Sequence, residues 1–278
     1  MLFRSINSGR PGGIACARVA FKGLTSPDLD VNEGCFRALK VVLPDGTMLS
    51  ARPPAALGLW SIAMPTTIDT ILKALAPALP HKIPAAHKGD MGGCSFYGTA
   101  PGYGRFLLMN IFGGGWGGRP HEDGEDASVS VCQGDVRNSP VELQEIRYPF
   151  LVENHALRDD SGGVGKFRGG LGVELTYKCL APCQVNINFE RTKMPPWGLD
   201  GGGEGGANYA VIRYADGAPE KKVLKGTQIP LQAGDSVAFF TAGGGGYGDV
   251  RQRSKEAIAQ DMKEGFVSAA KAKELYGV

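Results

Sequence analysis

The sequence predicts an α+β protein that is β-rich, with Gly-rich mixed sheets, a helix near residues 65–79 and a C-terminal helical pair. Three observations carry this. Seven short strand-like runs follow residue 104, and 42 of the 278 residues are glycine. Helical periodicity is confined to a stretch near residue 70 and to the tail after Ser254. The glycine share is about twice the usual ~7%, and it is not periodic, which excludes collagen. Tight turns and close backbone approaches between strands account for it.

Residues 37–49, RALKVVLPDGTML, read as a strand, a P-D-G turn and a second short strand. In PTTIDTILKALAPAL, Ile68, Ile71, Leu72, Leu75 and Leu79 recur at helical spacing, with Thr66 or Thr67 as cap and Pro77 and Pro80 limiting the end. Residues 81–104 read as irregular. The strand-like runs are RFLLMNIF, ASVSVC, GVELTYKCL, QVNINFE, NYAVIRY, KKVLKG and DSVAFFTA. In QVNINFE, Val185, Ile187 and Phe189 share one face. SKEAIAQDMKEG then reads as a helix capped by Ser254 and stopped by Gly265, and Ser268 caps a second short helix. A soft boundary near 138–150 separates a partial α/β region, 1–140, from a β-rich domain, 141–278.

Composition excludes several classes. The net charge is +2, from 30 basic and 28 acidic side chains, without a block of like charge, so a nucleic-acid footprint is missing. No run of 18 apolar residues and no apolar leader occurs, which points to a cytoplasmic protein away from the membrane. Six scattered cysteines, with only Cys179 and Cys183 close, predict reduced and mostly buried thiols rather than a zinc site.

The stretch FGGGWGGRPHEDGED, residues 112–126, invites two chemical readings. Gly113, Gly115 and Gly118 match G-x-G-x-x-G, as do Gly243, Gly245 and Gly248, but neither match is followed by the helix and returning strand that a dinucleotide site needs. His121, Glu122, Asp123, Glu125 and Asp126 offer metal-ligand chemistry at loop spacing, which a solvated turn also contains. His81, His87 and His155 stand alone and read as surface or hydrogen-bonded core histidines. A nucleophile elbow and a P-loop are both absent from the sequence.

Whole phrases say more. NEGCFRALKVVLPDGTML, RPPAA, NIFGGGWGGRPHEDGE, DVRNSPVELQE, RYPFLVENHALRDDSGGVGKFRGGLGVE, RTKMPPWGLDGG, QAGDSVAFFTAGGGGYGD and ELYGV follow one another in order. In these phrases the chain resembles the C-terminal half of the hydantoinase B/5-oxoprolinase family, which also covers acetone and acetophenone carboxylase subunits. The resemblance implies a truncated gene, a split subunit or a mis-started reading frame.

It also implies a hetero-oligomer. A hydantoinase A-type partner uses ATP to activate the carbonyl of a small cyclic amide, and the B-type subunit supports attack on it. A ketone takes the amide's place in the carboxylase alternative. The divalent metal is expected in the full-length subunit, with its His and Asp ligands in the N-terminal half, so no metal ligand is assigned to this chain. Catalytic candidates are Glu142 and Arg119, and substrate-binding candidates are Asn138, Arg191 and Trp197. A non-catalytic scaffold is the further alternative for the isolated chain.

Overall fold

A computed structural model describes residues 7–58, 60–133 and 136–277. The chain divides into two compact units, Met1–Pro84 and Ala85–Val278. The soft boundary read near 138–150 falls within the second.

The first unit is helical. Helix α1 (Arg10–Thr25) packs on α2 (Trp60–Leu75). Sequence reading missed α1, because Gly12 and Gly13 in its first turn mask its periodicity. Pro11 suits that turn, where its missing N–H is no loss. The buried Lys22 amine donates to the carbonyls of Ser26 and Leu29, tying the chain that leaves the helix back onto its last turn. Helix α2 starts five residues before the predicted Pro65 and carries that proline inside it.

The strand pair expected in residues 37–49 does not form. The P-D-G turn is present, with Gly46 at φ 74°. Its flanks instead make scattered bonds: Leu43 O accepts from the Arg10 side chain, and beyond the turn Ser8 donates to Met48 O at 2.7 Å and accepts from Ala51 N at 3.1 Å.

The second unit holds nine strands among the described residues: β1 (Gly93–Ala100), β2 (Gly104–Ile111), β3 (Phe150–Arg158), β4 (Gly172–Cys179), β5 (Cys183–Asn188), β6 (Tyr209–Arg213), β7 (Lys221–Val223), β8 (Gly226–Leu231) and β9 (Ser236–Phe240). They form two sheets, ordered β2-β1-β5-β8 and β3-β4-β9-β6-β7. Each ladder is antiparallel, where the sequence reading left the sheets mixed. Phe96 from the first sheet meets Phe150 and Phe239 from the second, at ring distances of 4.7 and 6.1 Å, within one shared core. ASVSVC forms no strand; it makes a single bridge, Gly114 to Ser128.

Glycine-rich segments outside the sheets hold one another by backbone alone. Gly115 N donates to Ala242 O, Gly244 N to Gly170 O, Gly170 N to Trp116 O and Gly118 N to Gly245 O, all at 2.8–2.9 Å. A Cβ on Gly115 would overlap the Gly170 carbonyl, and one on Gly244 the Trp116 carbonyl. Only glycine permits this approach. Both G-x-G-x-x-G matches belong to this lattice, and their amides at 115, 118, 243 and 245 are spent on carbonyls. These amides cannot cradle a phosphate.

The tail follows the reading closely. The Ser254 hydroxyl accepts from Ala257 N at the start of α4 (Lys255–Lys263), and Gly265 turns the chain at φ 77°. Ser268 caps α5 (Ala269–Lys271), which widens into a π-type turn, Ala272–Tyr276.

Candidate functional site

The end of β2 leads through Phe112 to Gly113, and these residues form one wall of a small cavity. Val152 and His155 of β3, Val173 and Leu175 of β4, and the short helix α3 (Val141–Arg147) complete it. Helix α3 places Glu142 in its first turn and Arg147 in its last, which suits the helix dipole.

A buried relay fixes the inner wall. Asn110 donates to Tyr177 OH at 2.7 Å, Tyr177 OH donates to Gln144 Oε1 at 2.6 Å, and Gln144 Nε2 donates to Ser139 O at 2.8 Å. Burial pushes the Tyr177 phenol well above its ordinary pKa, so it stays a donor. Asn138 lines the cavity. Glu142, one helical position from the lining residue Val141, is exposed.

Behind the Phe112 wall lies a second polar group that the sequence reading missed. His87, Lys88 and Asp90 are all buried, Lys88 and Asp90 almost completely. The Lys88 ammonium donates to Met91 O at 2.9 Å and to Phe112 O. Burial pulls its pKa down to about 8, opposed by Asp90. Burial pushes the Asp90 carboxyl up; one oxygen accepts from Glu190 N at 2.6 Å and the other has no partner. His87 Nδ1 accepts from Gly89 N at 2.9 Å.

Arg191, at φ 49°, lays its side chain against Gly89, and the Trp197 carbonyl accepts from Ala86 N at 3.0 Å. Two of the five candidates therefore gather at residues 86–90. The signal is the polar run HKGD inside an apolar and glycine-rich context; His87 taken by itself carries none.

Arg119 is elsewhere. It pairs with Glu122 and, at 3.4 Å, with Glu125, and His121 stands exposed beside Glu122 at 3.3 Å. The Arg119 hydrogen bond holds the Glu122 carboxyl below its ordinary range. Asp123 and Asp126 point the other way. Asp126 takes both terminal nitrogens of buried Arg168, at 2.8 and 3.2 Å, and Asp123 takes both of Arg253, at 2.7 and 2.8 Å.

Asp261 of α4 joins the two arginines, accepting from Arg168 Nε at 3.2 Å and Arg253 Nε at 3.0 Å. Burial works against charge on Arg253, but Asp123 and Asp261 more than offset it and its pKa rises. The acidic run read as one cluster thus splits into an outer ion pair and an inner structural hub. Among the described residues no group of three or more His, Cys, Asp or Glu side chains is placed to hold a metal ion. All six cysteines are free thiols, with the Cys179 and Cys183 sulfurs 3.8 Å apart.

Two packed antiparallel sheets beside a glycine lattice define a fold shared with large amide- and ketone-processing enzymes. The structure superposes on the ATP-dependent caprolactamase from Pseudomonas jessenii with a TM-score of 0.89 at 26% identity, covering 99% of this chain and 49% of that one. It also matches nucleotide-free acetone carboxylase, with a TM-score of 0.84 at 18% identity over 99% of this chain and 41% of the other, a likeness of fold alone.

In sequence the chain is 32% identical over 250 residues to the B subunit of the putative D-/L-hydantoinase of Pseudomonas sp. (strain NS671), covering 89% of this chain and 41% of that protein. The Hydantoinase B/oxoprolinase family profile matches residues 2–250, and the chain belongs to that family. It spans less than half the length of the curated relatives it matches.

Proposed function

We propose that the chain is the C-terminal part of the B-type subunit of an ATP-dependent cyclic amide hydrolase, acting with an A-type partner that uses ATP. The observation that carries this reading is the end-to-end likeness to a caprolactamase named as ATP-dependent. The chemistry explains the need for such a partner. Resonance makes a lactam carbonyl a poor electrophile, and ATP supplies the activation through phosphorylation of the substrate.

In this reading Asn138 holds the substrate at the cavity, and Glu142, exposed on the first turn of α3, takes up a proton at the cavity mouth. Arg191 and Trp197 shape the buried segment behind the Phe112 wall. Arg119, exposed with its two glutamates, meets an anionic group of substrate or partner. The family's divalent metal has no fitting ligand set among the described residues, so no step is routed through it here.

The test is to assemble this chain with the remaining half of a B-type subunit and an A-type partner, and to measure phosphate release. Release that depends on caprolactam, a hydantoin or 5-oxoproline is the expected result. Release that depends instead on a ketone with bicarbonate moves the chain to the carboxylases. Release with none of them leaves a scaffold and overturns the proposal.

A further inference from the structure

Cys179 ends β4 and Cys183 begins β5, and residues 180–182 carry the chain from one sheet to the other. Both side chains belong to the shared core, at 0% and 7% exposure, and their sulfurs are 3.8 Å apart. The backbone is anchored at each end. Cys179 N donates to Asp235 O at 2.8 Å and Cys179 O accepts from Gly234 N at 2.7 Å, while Cys183 pairs with Leu231 across the β5–β8 ladder. The fold therefore holds the two thiols together. Leu180, Pro182 and Gln184 around them are exposed, so the pair lies just beneath the surface.

We propose that Cys179 and Cys183 form a peroxide-reactive pair, oxidised to a disulfide that staples the end of β4 to the start of β5 where the two sheets join. To bond, the sulfurs need to approach by less than about 2 Å. Hydrogen bonding between the two holds the Cys183 thiol below its ordinary pKa and the Cys179 thiol above it, so Cys183 is the attacking thiolate. Among the described residues no third His, Cys, Asp or Glu joins them, so the pair lacks the remaining ligands of a zinc site.

The oxidant is hydrogen peroxide. The Cys183 thiolate attacks one of its oxygens, the O–O bond breaks, and the sulfur becomes a sulfenic acid as hydroxide leaves. The Cys179 sulfur then attacks the Cys183 sulfur. The S–O bond breaks, and water leaves with the Cys179 proton. Together the two thiols give up two electrons and two protons, and the peroxide is reduced to two waters. Exchange with a thiol reductant reverses the bond.

Exposure alone favours other cysteines. Cys35 and Cys132 are half-buried, more open than either member of the pair. Oxidation that passes them over therefore reports the contact between the sulfurs rather than access to solvent.

The experiment treats the 278-residue chain with hydrogen peroxide, blocks the remaining thiols and maps its peptides by mass spectrometry. The major product should join Cys179 to Cys183 within one chain, two hydrogens lighter than the reduced form. The oxidised chain should unfold a few degrees higher than the reduced one, and dithiothreitol should restore the lower midpoint. Cys179→Ser removes the second step, so dimedone should trap a sulfenic acid at Cys183, whereas Cys183→Ser should leave Cys179 unlabelled. The wild-type map decides the pairing whether or not the serine variants fold.

A pair that stays reduced while Cys35 or Cys132 is oxidised overturns the proposal, as does a linkage that forms only after unfolding in urea. A disulfide that lowers the unfolding midpoint overturns the stapling role. Dimedone on Cys179 in the Cys183→Ser variant overturns the order of attack.

Discussion

At Lys88 the fold buries an ammonium group against two backbone carbonyls, and burial draws its pKa to about 8. The folded value lies below the unfolded one, so between them the unfolded chain binds more protons. Stability therefore gains from this group as pH rises through that window. Cys94 and Tyr177, pushed up by burial, act in the opposite sense, so the effect is read as a difference between proteins. Raising the pH from about 7.5 to about 9.5 should stabilise the wild type relative to Lys88→Met by about 2 kcal/mol, measured by urea unfolding. A constant difference across that range rejects the assignment. Such a residue is hard to read from sequence, because polar side chains are ordinarily outside, and only the apolar and glycine-rich context of HKGD sets it apart. Asn138 is easier to pick out, since it is a polar residue two positions before a rigid proline that leads into a short helix. The run HEDGED misleads for a different reason. Neighbouring residues of a loop face opposite ways, and their separate partners, Arg119 outside and Arg168 and Arg253 inside, lie far apart in sequence.

At the scale of elements, the hub of Arg168, Arg253, Asp123, Asp126 and Asp261 fastens α4 to the glycine-rich turns. Asp261 is buried and gives one carboxylate oxygen to each arginine, so Asp261→Asn leaves both arginines their own aspartates but turns an amide N–H toward one guanidinium, and should cost about 1–3 kcal/mol. Hydrogen exchange should rise first in α4 and residues 266–276, while the amides of β4 and β9 stay protected. A uniform loss of protection would show that the hub does not act as a local fastening. The same scale explains which elements are legible. Strand β5 can be read because its alternation is complete and its inward residues Val185 and Ile187 are buried in the shared core. Strands β1, β3 and β8 escape sequence reading: glycine thins the pattern of the first, a bulge between Val152 and Asn154 interrupts the second, and Pro230 interrupts the third, the last two being edge strands. RALKVVLPDGTML has strand composition yet forms none, because a strand requires a continuous partner for its backbone groups, and among the described residues that stretch makes scattered single bonds instead, to Gly34, Phe36, Arg10 and Ser8 among others.

For the whole molecule, glycine has two different roles, and substitution separates them. Gly244→Ala puts a methyl into the Trp116 carbonyl and should cost at least about 3 kcal/mol, whereas Gly23→Ala, in α1 with nothing near its Cβ position, should gain about 0.5–1 kcal/mol. Thermal unfolding of the two variants checks both signs. Strand β2 is the edge of its sheet, and alternate residues Leu107 and Met109 face outward at 53% and 72% exposure. An exposed apolar edge strand is a template for pairing with another chain. The chain should self-associate through β2, and Met109→Lys should shift it toward monomer in sedimentation velocity. Because Met109 packs into nothing, its replacement should change stability by no more than about 0.5 kcal/mol, which separates an effect on association from an effect on folding. Undiminished association of the lysine variant would move the sticky surface away from β2.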